Sequence, residues 1–311
     1  MTSNETSYSK TLICIVGPTG IGKTSWAIQL AREFDTEIIS ADSRQFYREM
    51  NIGTAKPSEE ELNSAPHHFI NSHSIIDEYS AGDYEKEALA CIESLFKKKD
   101  TLILVGGSGL FVNAVCTGLD NLPKPAEGIR ESLMSLFQEK GIELLQQKLK
   151  EVDPAYYNEV DINNPQRIIR ALEVFETTQI PFSVWRKKEM SLRKFNIITI
   201  GLNMPREALY ERINLRVDLM IEQGLLNEVE LLIPYKNKMP LLSVGYSEIF
   251  DYFEGKLRLE EAIEKVKQNT RRYAKRQLTW FKRNKNTVWF EPNEFLEATE
   301  YIKSLLNKKR S

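Results

Sequence analysis

Cysteine, histidine and net charge are all scarce in this chain. Its 311 residues include three cysteines, three histidines and a formal net charge of −2. Cys14, Cys91 and Cys116 show neither paired nor metal-ligand spacing, which argues against a disulfide framework or a zinc ribbon. Cys14 and Cys91 lie in apolar-patterned stretches and read as buried thiols of a reducing, cytoplasmic protein. No apolar run approaches the roughly 20 residues of a membrane span, so no membrane partner is expected. Met1 to Lys10 is polar and lacks the apolar centre of a signal peptide. Neither an internal repeat nor a low-complexity segment occurs. His67-His68 fits no triad or metal spacing and is assigned to structure, or at most to a pocket wall.

What is present is a globular composition, 41% hydrophobic and 28% charged, at a length that suggests about two domains. Gly17-Pro18-Thr19-Gly20-Ile21-Gly22-Lys23-Thr24 fits the G-x-x-x-x-G-K-[ST] phosphate-binding loop, a pattern shared with ATP-binding and other nucleotide-binding proteins. The apolar run Leu12 to Val16 precedes it, and helical spacing follows over Ser25 to Phe34. Strand, glycine loop and helix is the setting that lets backbone N–H groups and the helix dipole converge on one anion. Lys23 adds a point charge, and Thr24 can help hold Mg²⁺.

The first 120 residues alternate, with strands at 11–16, 36–40 and 101–105 and helices near 23–34 and 83–98. Such alternation predicts an α/β fold, a parallel sheet covered by helices. The Pro-rich break from Asp120 to Gly128 opens a stretch that is helical from Ile129 to about Lys188. Asn164-Pro165 reads there as an N-cap with proline at the first helical position. Strand character returns at Phe195 to Leu202, helices follow at 205–223, 224–233, 245–254 and 259–284, and a short strand closes at Val288-Trp289-Phe290. The expected organisation is a P-loop NTPase-like core, 1–120 with 195–311, carrying a helical insertion domain at 121–194.

A phosphate loop used for ATP chemistry usually comes with an apolar strand that ends in Asp. Here Leu102 to Val105 runs instead into Gly106-Gly107-Ser108-Gly109. The strand-exit acid is Asp42, after Glu37 to Ser40, where it could bind metal, act as a base or merely shape a turn. The pairs Arg212/Arg216 and Arg167/Arg170 each share a helix face and suit diphosphate or RNA backbone, though an isolated pair equally suits an exposed, salt-bridged face. Residues 265–285 hold nine basic residues and no acid, with Tyr273, Trp280 and Phe281 interleaved. That is either a footprint for nucleic-acid phosphates or a solvated face balanced by acids elsewhere.

Several further segments occur in order: Ser40-Ala41-Asp42-Ser43, Asn51-Ile52-Gly53-Thr54-Ala55-Lys56-Pro57, Ala65-Pro66-His67-His68, Gly106 to Leu110, Val152-Asp153-Pro154, Asn164 to Arg167, Arg170 to Val174, Val244-Gly245-Tyr246 and Tyr273 to Gln277. With the phosphate loop, they make the chain resemble the bacterial tRNA dimethylallyltransferase (tRNA isopentenyltransferase) family over about residues 11–290. The resemblance implies transfer of a dimethylallyl group from dimethylallyl diphosphate to N6 of the adenine immediately 3′ of the anticodon. It implies Mg²⁺ as cofactor, the tRNA anticodon stem-loop as partner, a flipped target base and a monomeric enzyme.

The resemblance also distributes roles. Asp42, Thr19 and Arg216 would be catalytic, Asp42 as base. Gly17 to Thr24 would bind diphosphate, with Thr24 toward the metal. Asp42, Ser43, Arg44, Gln45, Ser108, Arg130, Gln166, Arg167, Ile168, Ile169, Arg170, Tyr246, Arg271 and Lys275 would contact tRNA. This chain departs from the family pattern at Ser108, where Thr is usual, and at Leu242 and Ser247, where basic residues usually flank Gly245-Tyr246. Competing readings are prenylation of a free adenine nucleotide, a small-molecule kinase and a non-enzymatic RNA-binding protein. The helical insertion and the basic stretch favour tRNA over a free nucleotide.

Overall fold

Apolar residues fill β1 on both faces, and the sheet is built outward from it. The computed structural model describes residues 9–186 and 191–308. Readings that fall on 1–8, 187–190 and 309–311, including that of the polar N-terminus, lie outside the described residues. Strands β1 (Thr11–Val16), β2 (Ile38–Ser40), β3 (His67–His68), β4 (Thr101–Gly106), β5 (Asn196–Leu202) and β6 (Val288–Phe290) form one parallel sheet in the order β3-β2-β4-β1-β5-β6. Leu12, Cys14 and Val16 point into one core, and Ile13 and Ile15 into the other. Burial on both faces is what the continuous apolar strand predicts for a parallel sheet.

The chain divides into two compact units, Met1–Thr117 with Leu192–Ser311, and Gly118–Ser191. The first unit holds the sheet with α1 (Lys23–Glu33), α2 (Glu59–Ser64), α3 (Ala81–Leu95) and α4 (Gly109–Cys116). The second is wholly helical among the described residues: α5 (Ile129–Lys140), α6 (Ile142–Val152), α7 (Pro154–Glu159), α8 (Pro165–Thr178) and α9 (Phe182–Trp185). Returning to the first unit, the chain adds α10 (Arg206–Glu222), α11 (Leu225–Leu231), α12 (Ser247–Phe253), α13 (Leu259–Phe281) and α14 (Phe295–Lys308).

The sequence reading missed β3, α2, α4 and α14. Two residues of edge strand carry too little periodicity to register. The signal for α14 was available, since Phe295, Ala298, Ile302 and Leu305 recur at helical spacing and pack on the core. His67 and His68 form β3, and the His68 ring bonds Glu37 at 2.7 Å. Cys91 is half-buried rather than buried. The fold also brings together two cysteines with no paired spacing: the Cys14 and Cys116 sulfurs are 3.4 Å apart as free thiols.

In the helical unit, Asn164 caps α8 by accepting from the Arg167 N–H at 3.3 Å, with Pro165 at the first helical position. The fully buried Glu173 carboxylate takes Arg130 at 2.6 Å and Arg170 at 3.2 Å. Ile168 and Ile169 are 0% exposed and form the core of this unit with Leu145, Leu149 and Val174. Their expected contact with RNA is therefore corrected: side chains sealed inside the bundle offer RNA no surface. The neighbours Gln166 and Arg167 are exposed.

Gly106 lies where β4 passes closest to the β2 exit, and a Cβ there would overlap the Ala41 carbonyl oxygen. Backbone cannot yield as a flexible side chain can. Gly106→Ala is expected to destabilise the protein by about 2–3 kcal/mol. Urea unfolding reads this as a lowered midpoint, and a midpoint equal to the parent's contradicts the packing described.

Candidate active site

Ligands of open parallel sheets bind at the carboxyl ends of strands, in the crevice where the chain reverses direction across the sheet. Here that crevice lies between β1 and β4, paired up to Val16 and Gly106. The loop after β1 is Gly17 to Gly22, with positive φ at Gly17, Gly20 and Gly22 (150°, 80° and 103°). Residues with a Cβ rarely adopt these angles, so the motif's glycines are a backbone requirement.

Gly22 is the N-cap of α1, which has no side-chain cap and no acid in its first turn. Helices α2 and α3 instead close their N-termini with capping boxes from Ser58/Glu61 and Ser80/Asp83. The first amides of α1 are thus left for an external anion.

Three side chains surround this loop. Lys23 Nζ donates to the Pro18 carbonyl at 2.8 Å. Burial pushes the Lys23 ammonium down to about 8; Asp42 pulls it upward and Arg216 pushes it down. Arg216, on α10, donates to the Thr19 hydroxyl at 3.3 Å. Burial lowers the Arg216 pKa from its ordinary value, yet a guanidinium remains charged at neutral pH. The Thr19 oxygen accepts from Arg216, so its own hydrogen stays available to a ligand oxygen.

Asp42 follows β2. Its Oδ1 accepts from the Arg44 N–H at 2.9 Å and the Gln45 N–H at 3.4 Å. One oxygen therefore shapes the turn, while Oδ2 makes no hydrogen bond among the described residues. The carboxylate is near enough to act electrostatically on Lys23, Arg216 and Tyr273. Ser43 and Ser108 join the β2 and β4 exits: the Ser108 hydroxyl accepts from the Ser43 N–H at 2.9 Å and donates to the Ser43 hydroxyl at 3.0 Å. The hydroxyl that survives at Ser108 therefore has an internal partner. The structure thus brings Thr19, Lys23, Asp42, Ser43, Ser108 and Arg216 to one end of the sheet, while Arg130, Gln166, Arg167 and Arg170 belong to the helical unit.

Tyr246 differs from its expected role in contacting RNA. It is 1% exposed and its hydroxyl donates to Glu228 at 2.7 Å. Its ring lies where a Cβ on Gly53 would be, which gives the Gly-Tyr and Ile-Gly-Thr segments a packing reason. Arg271 is drawn inward too, bonded to Asn214 at 2.5 Å and lying over the Tyr210 ring.

Glu228 and Gln277 escaped the sequence reading. Glu228, on α11, accepts from the N–H groups of Asn51, Ile52 and Gly53 at 3.0, 2.7 and 3.0 Å. Gln45 then donates to the Thr54 and Ala55 carbonyls of the same loop at 3.3 and 3.1 Å. Nothing local marks Glu228, because the three amides it holds lie about 175 residues away.

The outer face of α13 is basic. Arg272, Lys275, Arg276, Thr279, Trp280 and Arg283 line an open groove of about 490 Å³. These four cations make no ion pair with a carboxylate among the described residues, whereas Lys267 is paired with Asp218 and Glu264.

The chain's similarities to known proteins agree with this geometry. A family model described as IPP transferase matches residues 45–284. A tRNA dimethylallyltransferase of Flavobacterium johnsoniae is 52% identical over 288 residues, covering 91% of this chain and 93% of the relative. One from Christiangramia forsetii is 51% identical over 300 residues, covering 96% of this chain and 99% of the relative. The solved full-length tRNA isopentenylpyrophosphate transferase of Bacillus halodurans matches with a TM-score of 0.72 at 37% identity, over 97% of this chain and 98% of that one. A eukaryotic dimethylallyltransferase acting on tRNA gives 0.75 at 26% identity, over 91% of this chain and 74% of that one.

Two outcomes are expected. Inorganic diphosphate should bind the free protein about tenfold more weakly at pH 9 than at pH 7, as Lys23 loses its proton near pH 8. This fall is read relative to Lys23→Arg, whose charge is constant and which shares the rise in ligand charge as diphosphate deprotonates; identical pH profiles in the two proteins would contradict the role of Lys23. Glu228→Ala strands three amides and a buried hydroxyl, and is expected to cost at least about 2 kcal/mol. A melting temperature unchanged from the parent would show that Glu228 does not hold this loop.

Proposed function

The chain belongs to the IPP transferase family, and on that premise we propose how its residues divide the work of prenylating tRNA. The reaction moves a dimethylallyl group from dimethylallyl diphosphate to adenine in tRNA. In the proposed chemistry, N6 of the adenine immediately 3′ of the anticodon attacks C1 of the allyl group. The C1–O bond breaks and its electron pair leaves on diphosphate. The proton from N6 passes to Asp42. The single observation that carries this reading is the β1–β4 crevice itself, where an uncapped helix N-terminus, Lys23 and Arg216 meet Asp42.

Negative charge grows on the leaving oxygen, and preorganised donors stabilise it where it develops. The amides of Gly20 to Thr24, Lys23 and Arg216 fill that role, and the Thr19 hydroxyl can donate beside them. The exocyclic amine of adenine is a poor nucleophile because its lone pair is delocalised into the ring. A carboxylate that takes its proton as the bond forms lowers the barrier. Asp42 has one oxygen fixed by the turn and the other without a partner among the described residues, an arrangement that aims it.

The Thr24 hydroxyl and the diphosphate oxygens make a small, hard, all-oxygen donor set, the mode in which Mg²⁺ binds with few protein ligands. The fit is therefore to Mg²⁺ brought with the substrate, and its chemistry there would be to neutralise the departing diphosphate. The proposed enzyme acts as a monomer in the cytoplasm. The loop serves dimethylallyl diphosphate rather than ATP hydrolysis, because β4 ends in glycine where a metal-holding acid would stand.

On the RNA side, Arg272, Lys275, Arg276 and Arg283 of the α13 groove meet backbone phosphates, with Trp280 among them. Exposed Gln166 and Arg167 supply further contacts from the helical unit, where Arg130 and Arg170 are held by Glu173. Flipping the target base costs a few kcal/mol, offset by stacking and edge contacts in the site.

The purified protein should transfer label from dimethylallyl diphosphate to unmodified tRNA with Mg²⁺ and without ATP, and nucleoside analysis should return prenylated adenosine. An absolute ATP requirement would overturn this reading. Asp42→Asn should lower kcat by roughly 10²–10⁴-fold under single turnover, with tRNA affinity little changed; an unchanged kcat removes Asp42 as the base. Replacing Arg272, Lys275 and Arg276 together with Ala should weaken all tRNAs alike and flatten the salt dependence by about one unit per lost phosphate contact. A lowered melting temperature with the parent's salt slope would make this face purely structural.

A further inference from the structure

Past Val16 and Gly106, β1 and β4 part into the two loops that flank the crevice. No backbone hydrogen bond joins these loops among the described residues. One side chain spans them. Gln277 of α13 accepts from the Thr19 N–H at 2.8 Å through Oε1 and donates to the Gly107 carbonyl at 2.8 Å through Nε2. A backbone N–H can only donate and a carbonyl can only accept, so these partners fix the orientation of the amide.

Gln277 is 6% exposed, and on either side along α13 lie Ala274 and Phe281, 0% and 5% exposed. The helix is thus anchored where the amide projects, and the amide has little freedom of its own. A Cβ on Gly107 would overlap Gln277 Nε2, so the glycine is what admits the amide to the loop. Thr19 is held on its other side as well, by Arg216.

We propose that Gln277 is a positioning residue for prenyl transfer: by bridging Thr19 and Gly107 it fixes the two walls of the diphosphate site at one separation. The inference rests on the prenyl-transfer reading and deepens it. The bridge withdraws the Thr19 amide from the donors offered to the ligand and leaves its hydroxyl facing Arg216. The diphosphate is then read by the amides from Gly20 onward, which belong to the turn and to the start of α1. An apolar residue of the same volume would fill the space, but would leave a half-buried N–H and a buried C=O unpaired. Those groups would then compete for substrate oxygens or let the loops drift, and a drift of about 1 Å at a reacting centre can cost on the order of 10²-fold in rate. The same helix carries Lys275 and Arg276 outward, so one rigid element holds the diphosphate loop on its inner face and cations on its outer face.

The test uses Gln277→Met, which keeps length without polarity, and Gln277→Asn, which keeps the amide but is one methylene short of the span. Both are compared with the parent for kcat and for KM toward each substrate, for tRNA Kd, and for inhibition by inorganic diphosphate. The expected result is a fall of about 10- to 100-fold in kcat/KM for dimethylallyl diphosphate. Inhibition by diphosphate should weaken, while tRNA Kd stays within about twofold of the parent. Parental kcat/KM in either soluble variant overturns the inference. So does a loss confined to the active fraction, with both KM values and diphosphate inhibition unchanged, because that is the signature of a merely structural role. Failure of the parent itself to prenylate tRNA would count against the reaction assigned and not against Gln277.

Discussion

An α-helix that begins without a cap leaves backbone N–H groups that must find a partner. At α1, as at α4 and several other helices, no side chain caps the N-terminus, and at α1 the open end follows a glycine loop held by Lys23 and Arg216. The rest of the site is arranged around that deficit. Glycines give the loop the positive φ angles that turn its amides toward one point. Lys23 and Arg216 add positive charge under burial, which suits them to an anion. Asp42 is a carboxylate that acts electrostatically on both, and it enters from β2 rather than from the strand next to the loop.

The outer parts of the first unit serve to hold that arrangement. Glu228 gathers the Asn51 to Gly53 amides, Gln45 ties the carbonyls of the same loop to the turn that bears Asp42, and Tyr246 packs on Gly53. Gln277 does the corresponding work between the loops after β1 and β4. Glu228 and Gln277 are polar side chains from distant helices, and each pairs with loop backbone that no strand or helix satisfies. The loops around the crevice are irregular, and their backbone groups still need partners.

The division between what was legible in the sequence and what was not follows this pattern. The phosphate loop reads directly, because its glycines, lysine and threonine are contiguous and sit between an apolar strand and an amphipathic helix. Five of the six strands read from their apolar runs, while β3 is two residues long and α14 was overlooked despite its spacing. Asp42 could be singled out by its place at a strand exit. Glu228 and Gln277 could not, since glutamate and glutamine are common on helices and their partners lie 175 and 258 residues away. Motif resemblance erred differently. It flagged Ile168, Ile169 and Tyr246 as RNA contacts, but each is buried: the isoleucines pack the helical unit and Tyr246 packs the Gly53 loop. A residue can belong to a family motif because it holds the contact residue next to it.

The proposed chemistry depends on where the leaving group sits. A crystal structure of the protein with inorganic diphosphate tests it most directly. Diphosphate is expected in the β1–β4 crevice, its oxygens within hydrogen-bond distance of the Gly22 to Thr24 amides, Lys23 and Arg216, with the Thr19 amide still bonded to Gln277. Diphosphate bound instead in the basic groove of α13, with the loop amides unoccupied at saturating ligand, would contradict it.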